Sequence, residues 1–109
     1  DVVIHCHASR VDADALAVEL DAVRPGSTHV LQADLAQHDR LAELVAHAIG
    51  RFGRLDALVN NASAFVPTPL GTVTPADWDA AFASNARAPF FLAQAAAPHL
   101  VAAGGAIVN

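Results

Sequence analysis

Apolar and polar positions along this chain follow two different periods. Four short apolar runs, Val2–His5, Thr28–Gln32, Leu55–Asn60 and Gly105–Asn109, are separated by three longer segments with helical spacing. In the first of these, Leu16, Leu20 and Val23 fall at i, i+4 and i+7, and Pro25-Gly26 ends the pattern. Ser9 followed by Asp12 has the form of a capping box and predicts the helix start. The second segment is the most regular, with Leu41, Leu44, Val45, Ala48, Ile49 and Phe52 in one continuous stripe and Gly53 as its stop. The third opens at Thr74-Pro75-Ala76-Asp77, with Thr as N-cap, Pro at the first helical position and an acid in the first turn. It should run to about Ala103, bent near Asn85 because the Pro89 ring clashes with that preceding carbonyl.

The order β-α-β-α-β-α-β predicts an α/β domain with a doubly wound parallel sheet, right-handed crossovers and helices on both faces. The Leu55–Asn60 run is apolar on both faces, as a parallel strand covered by helices should be. Residues 1–109 show no repeat, low-complexity tract or linker, so one domain is expected. Both ends fall within strand-like runs and the chain has no Met, so parts of the sheet are expected outside these residues.

Composition narrows the partners. The net charge is −5 and the six basic residues, all arginine, are scattered, which argues against nucleic acid or an anionic membrane surface. No apolar run approaches about 20 residues. The single Cys6 allows no disulfide framework and fits a reducing compartment, so a cytoplasmic location is expected.

In sheets of this kind ligands lie beyond the carboxyl ends of the strands. Those positions hold His5-Cys6-His7-Ala8-Ser9-Arg10, then Asp34-Leu35, then Asn60-Asn61-Ala62-Ser63. All three groups are polar where the strand bodies are apolar, a pattern that suggests a ligand crevice. His5 and His7 share a strand face, but no third and fourth ligand lie near in sequence, so no metal site is expected.

Phe52-Gly53-Arg54-Leu55-Asp56-Ala57-Leu58-Val59-Asn60-Asn61-Ala62 resembles the central segment of the short-chain dehydrogenases/reductases, and Asn85 within Ser84-Asn85-Ala86-Arg87 resembles that family's helix asparagine. More narrowly, His5-Cys6-His7 with Ser9, and Asn60–Phe65 leading into Pro67-Thr68-Pro69-Leu70, resemble pteridine reductases. The resemblance implies a Rossmann-like fold and an NADPH-dependent oxidoreductase that reduces a pterin- or dihydrofolate-like small molecule. It assigns His7, Ser9 and Arg10 to the 2′-phosphate of NADP(H). Pteridine reductases usually carry Arg where Ala8 stands, so that guanidinium is either lost or displaced to Arg10. Asp34 and Leu35 would meet the adenine, Asn61 and Ala62 the nicotinamide ribose, and Ser63 the cofactor phosphate or the substrate. Phe65 would stack on the pterin, and Asn85 would hold a water feeding a catalytic lysine. Structural alternatives stand beside these roles: Ser9 as a helix cap, Asp34 as a turn carboxylate, Phe65 as a cover for the core.

The chain has no Tyr and no Lys, and no Gly-rich turn precedes its first helix. The resemblance places a Tyr-x-x-x-Lys pair beyond Asn109, so hydride chemistry is not expected of these residues alone. It also places the strand bearing the Gly-rich turn between the first and third strands seen here. Either a gap of about two strand spacings, roughly 9–10 Å, remains there, or the sheet closes in the order 2-1-3-4. The family commonly pairs the helix after Thr74 across subunits, and its Ala80, Ala81, Ala83, Ala86 and Ala88 would allow close approach, so a dimer or tetramer is expected. Rival readings are a 3-oxoacyl (acyl carrier protein) or other carbonyl reductase, and a non-catalytic NADP-sensing protein.

Overall fold

The computed structural model describes all residues, 1–109. The elements run β1 (Val2–Cys6), α1 (Arg10–Val23), β2 (Thr28–Gln32), a 3₁₀ turn (His38–Arg40), α2 (Leu41–Phe52), β3 (Ala57–Val59), α3 (Pro75–Phe82), a π-helical turn (Ala83–Arg87), α4 (Ala88–Ala103) and β4 (Ala106–Val108). The strands form two parallel pairs, β1 with β2 and β3 with β4. α1 packs on β1 and β2, whereas α2 packs on β2 and on α4, and α4 on β3. α1 thus covers the β1–β2 pair, and α2 and α4 form a helix layer of their own. The architecture is a partial Rossmann-like α/β domain.

β1 and β3 do not pair, so of the two expected arrangements the gap is the one found. The backbone shows why both edges stay open. Val2 N–H donates to Ser27 and Cys6 carbonyl accepts from Ala33. Alternation along a strand then turns the amides of Val3 and His5 away from β2. Asp56 carbonyl accepts from Ala106 and Asn60 N–H donates to Val108, so Ala57 and Val59 likewise face away from β4. Between these edges lies an apolar cleft of about 490 Å³, walled by Leu44, Val45, Ala48 and Phe52 of α2 and Leu92 of α4. The helix layer, not backbone pairing, bridges the two halves. The radius of gyration, 15.4 Å, exceeds the ~13 Å of a compact chain this long.

The core sits in that helix layer. Leu41 and Val45 of α2 bury against Ala88, Leu92, Ala96 and Leu100 of α4, with Leu35, Leu44, Ile49, Leu55 and Leu58 packed around them. The stripe read from the sequence thus faces α4, and its Ala48 and Phe52 end wall the cleft. The long helix is interrupted around Asn85 as expected, by a π turn in which Ala88 N–H reaches Ala83 carbonyl five residues back. Widening the turn absorbs the N–H that proline lacks.

Two sequence expectations need correction at α1. Its packing face is Ala13, Ala17 and Leu20, while Leu16 and Val23 are exposed. The small side chains let the helix approach a sheet only two strands wide on that side. Ser9 also fails as a side-chain cap: at φ −85° and ψ 50° it is not extended, and it makes no cap hydrogen bond. Thr74, at φ −95° and ψ 160°, is extended and closes the full capping box with Asp77.

The turn into β2 is organised by Asp21, a role with no obvious signature in sequence. One carboxylate oxygen accepts from the amides of Ser27 and Thr28, both at 3.0 Å, and from the Ser27 hydroxyl at 3.3 Å. Hydrogen bonding from Thr28, reinforced by Ser27, outweighs desolvation and holds this carboxyl below the usual value. Thr74 does the same to Asp77. A depressed folded-state value stabilises the fold above the unfolded carboxylate pKa, about 4, and the contribution is lost as pH falls through the folded value. The urea midpoint should therefore drop below about pH 4, and the Asp21→Asn/Asp77→Asn double variant should show a shallower drop. Parallel profiles for the two proteins would refute this account.

Candidate functional site

The carboxyl ends of β1 and β2 are tied to one another by three contacts. Ala33 N–H donates to Cys6 carbonyl at 3.0 Å, His5 Nε2 lies 2.9 Å from Ala33 carbonyl, and Gln32 side-chain amide donates to His7 carbonyl at 2.8 Å. The register Cys6↔Gln32 places residues 7–10 beside 33–35. β3 and β4 end at the same level as each other, Val59↔Val108, and there Asn60 Nδ2 donates to Asn109 Oδ1 at 2.8 Å. His5 and Leu35 from one pair, and Asn60 and Ala62 from the other, line the same cleft. Each strand-end group thus sends at least one residue to the cleft, whereas His7, Ser9, Arg10, Asp34, Asn61, Ser63 and Phe65 do not line it.

Each candidate residue has a definite local state. His7 is exposed, and its recorded contact is through the backbone. Ser9 stands at the N-terminus of α1 with its hydroxyl not engaged in capping, so the first-turn amides keep their ability to bind an acceptor. Arg10, also exposed, gives its Nε to both carboxylate oxygens of Asp14 at 2.9 Å. That hydrogen bond, with the charge of Asp14, raises the guanidinium pKa further above its ordinary value. Asp34 accepts from Ala36 N–H at 2.9 Å, the turn role weighed from sequence, while Leu35 is half-buried against the core. Asn61, Ala62 and Ser63 are exposed. Phe65 is 88% exposed, so it does not cover the core.

Asn85 departs most from expectation. It is exposed, and its side-chain amide is engaged by backbone. Its Oδ1 accepts from Ala64 N–H and its Nδ2 donates to Ala64 carbonyl, both at 2.8 Å. Ser84 hydroxyl adds a third contact at 3.1 Å. The side chain therefore clamps the 61–65 loop to the π turn. Its own carbonyl lacks the usual partner four residues on, because residue 89 is proline. Its partner lies 21 residues away and carries no signal in sequence.

No helix is long and apolar enough to cross a membrane. No group of three His, Cys, Asp or Glu side chains is placed to hold a metal ion.

Comparison with known proteins places this geometry. The family model described as short chain dehydrogenase matches residues 1–109. Pteridine reductase 1 of Leishmania tarentolae is 36% identical over 86% of this chain and 43% of its own length. The probable galactose dehydrogenase GalD of Rhizobium meliloti is 35% identical over 87% of this chain and 38% of its own. A short chain dehydrogenase from Burkholderia cenocepacia, solved in complex with NADP, superposes with a TM-score of 0.87 at 36% identity, covering 92% of this chain and 40% of that one. The chain thus spans about two fifths of the length of these relatives. A family-model match over every residue, joined to a TM-score of 0.87 over 92% of the chain, is decisive: the chain belongs to the short chain dehydrogenase family.

Proposed function

We propose that these residues form the adenosine-side flank and part of the substrate wall of an NADPH-dependent short-chain oxidoreductase that reduces a pterin- or dihydrofolate-like small molecule. The observation that carries this reading is that His5, Leu35, Asn60 and Ala62, drawn from all three strand-end groups, line one cleft. Solved relatives named as complexes with NADP and NADPH support the cofactor. When bound, the nicotinamide supplies a hydride, and the residues here bind and orient.

The local chemistry fits a 2′-phosphate. The N-terminus of α1 has no side-chain cap, and a helix N-terminus favours anions. Arg10 is the arginine of that first turn; its terminal amino groups are outside its bond to Asp14. No acid closes β1 to accept a ribose 2′-hydroxyl, as an NAD enzyme would prefer. Asp34 and Leu35 flank the adenine, Asn61, Ala62 and Ser63 the nicotinamide ribose and phosphate side. Phe65 and Ser63 face the substrate, and Asn85 holds that loop in place. Replacing Arg10 by alanine should weaken NADPH about tenfold, the worth of one charge-assisted contact, with NADH unchanged; equal losses for both would defeat the assignment.

The pterin assignment rests on Phe65, whose exposed ring is free to stack, and on the likeness to pteridine reductase 1. The likeness to a probable galactose dehydrogenase favours a carbonyl or alcohol substrate instead. An enzyme extending past Asn109 through a Tyr-x-x-x-Lys should be assayed with biopterin and with an acetoacetyl thioester. Turnover of the thioester alone ends the pterin reading. The absence of that pair favours the NADP-sensing alternative. Trp78 and Phe82, stacked with ring centroids 4.4 Å apart and half exposed on α3, supply an apolar face for pairing copies into a dimer or tetramer.

A further inference from the structure

We propose that Asp14 is a specificity-determining residue for the nucleotide: by holding Arg10, it limits how strongly the N-terminus of α1 favours a 2′-phosphate over a 2′-hydroxyl. This rests on the NADPH reading above. Three features of the α1 entrance carry it.

The bond is placed to compete. Arg10 opens α1 and Asp14 follows one turn later, so their contact runs along the helix flank. Arg10 Nε is shared evenly by both carboxylate oxygens, at 2.9 Å each. That draws the guanidinium towards the body of the helix, whereas Ser9 and the open amides lie in the other direction. A phosphate at the helix start has to recruit Arg10 away from Asp14.

The bond is also breakable. The Arg10 and Asp14 side chains are 48% and 50% exposed, and an exposed i,i+4 pair is held only weakly. A phosphate offers more charge and accepts two parallel N–H groups from the guanidinium fork. Exchange of partners is then favourable, but incompletely so, because the Asp14 charge stays nearby.

Charge balance sets the direction. Asp12 and Asp14 both lie in the opening stretch of α1, against the single positive charge of Arg10. Removing the Asp14 charge frees Arg10 to turn towards the phosphate. Asp12 makes no recorded contact with Arg10, so it serves as a control of equal charge. Elsewhere Arg24 pairs with Asp1, Arg40 with Glu43 and Arg54 with Asp56, none of them at this helix entrance.

The test uses the enzyme that carries these residues and extends past Asn109, with two probes, 2′,5′-ADP and 5′-AMP, titrated by NMR or calorimetry at low salt. Asp14→Asn should tighten 2′,5′-ADP about fivefold and leave 5′-AMP within twofold. The gain should vanish in the Arg10→Ala/Asp14→Asn double variant and shrink at high salt. A similar gain from Asp12→Asn would mean bulk charge acts, not this pair, and would overturn the proposal. If wild type prefers 2′,5′-ADP and Arg10→Ala abolishes that preference, but Asp14→Asn leaves or lowers it, only the Asp14 proposal fails. If wild type shows no preference, or no binding of either probe, and Arg10→Ala changes nothing, the phosphate reading fails and this inference with it.

Discussion

Replacing Gly105 by alanine should lower stability by about 3 kcal/mol, the upper part of the range for overpacking. A Cβ there would sit 2.3 Å from Asp56 carbonyl oxygen and 2.9 Å from Leu100 Cδ2. The first neighbour is backbone at the entry to β3 and cannot rotate aside. Gly105 stands where α4 hands over to β4: its N–H reaches Leu100 carbonyl at 2.7 Å, and Ala106 N–H reaches Asp56 carbonyl at 3.1 Å. Forcing this contact apart strains the β3–β4 register and, at its far end, the Asn60–Asn109 bond beside the cleft. The urea midpoint should fall by about 2 M for a slope near 1.5 kcal/mol/M. Gly104→Ala is the control. Its residue has φ 67° with open space around it, so it should lose only the ~1–2 kcal/mol of a left-handed non-glycine residue. Equal losses at the two positions would show that the approach to Asp56 is not what requires glycine.

Asn85→Ala should release the 61–65 loop with little loss of global stability. Two neutral hydrogen bonds, each worth about 0.5–1.5 kcal/mol net, hold the Ala64 peptide groups. Their loss should speed hydrogen exchange at the Ala64 amide by about 10- to 100-fold. Asn85→Asp is the sharper probe, because a carboxylate can accept from Ala64 N–H but cannot donate to Ala64 carbonyl. It should give an intermediate rate. Unchanged exchange in Asn85→Ala would remove the clamp from the account. In the oxidoreductase proposed above, the same change should lower turnover and weaken NADPH and NADH alike, since it displaces Ser63 and Phe65 and leaves the α1 entrance untouched.

Features legible in the chain were those whose causes lie within a turn or two of backbone. Thr74-Pro75-Ala76-Asp77 fixed the start of α3, and the Leu41–Phe52 stripe marked α2 with its buried face. Pro89 marked the interruption of the long helix, although not the π geometry that absorbs it. The same local logic misplaced Ser9, whose residue type suits a cap while its backbone does not. It also chose Leu16 and Val23 over the smaller Ala13 and Ala17, because periodicity rewards large apolar residues and the narrow sheet under α1 rewards close approach.

Local propensity, turn chemistry and strand-end polarity were enough to establish an α/β chain with three polar groups at strand ends. Tertiary packing alone decided that β1 and β3 stand apart across a cleft, and that Asn85 grips Ala64 and Arg10 leans on Asp14. It alone required glycine at position 105. The reason is distance along the chain. Periods and caps are written over a few residues, whereas open strand edges, a 21-residue clamp and a backbone-to-backbone approach depend on what other segments bring alongside.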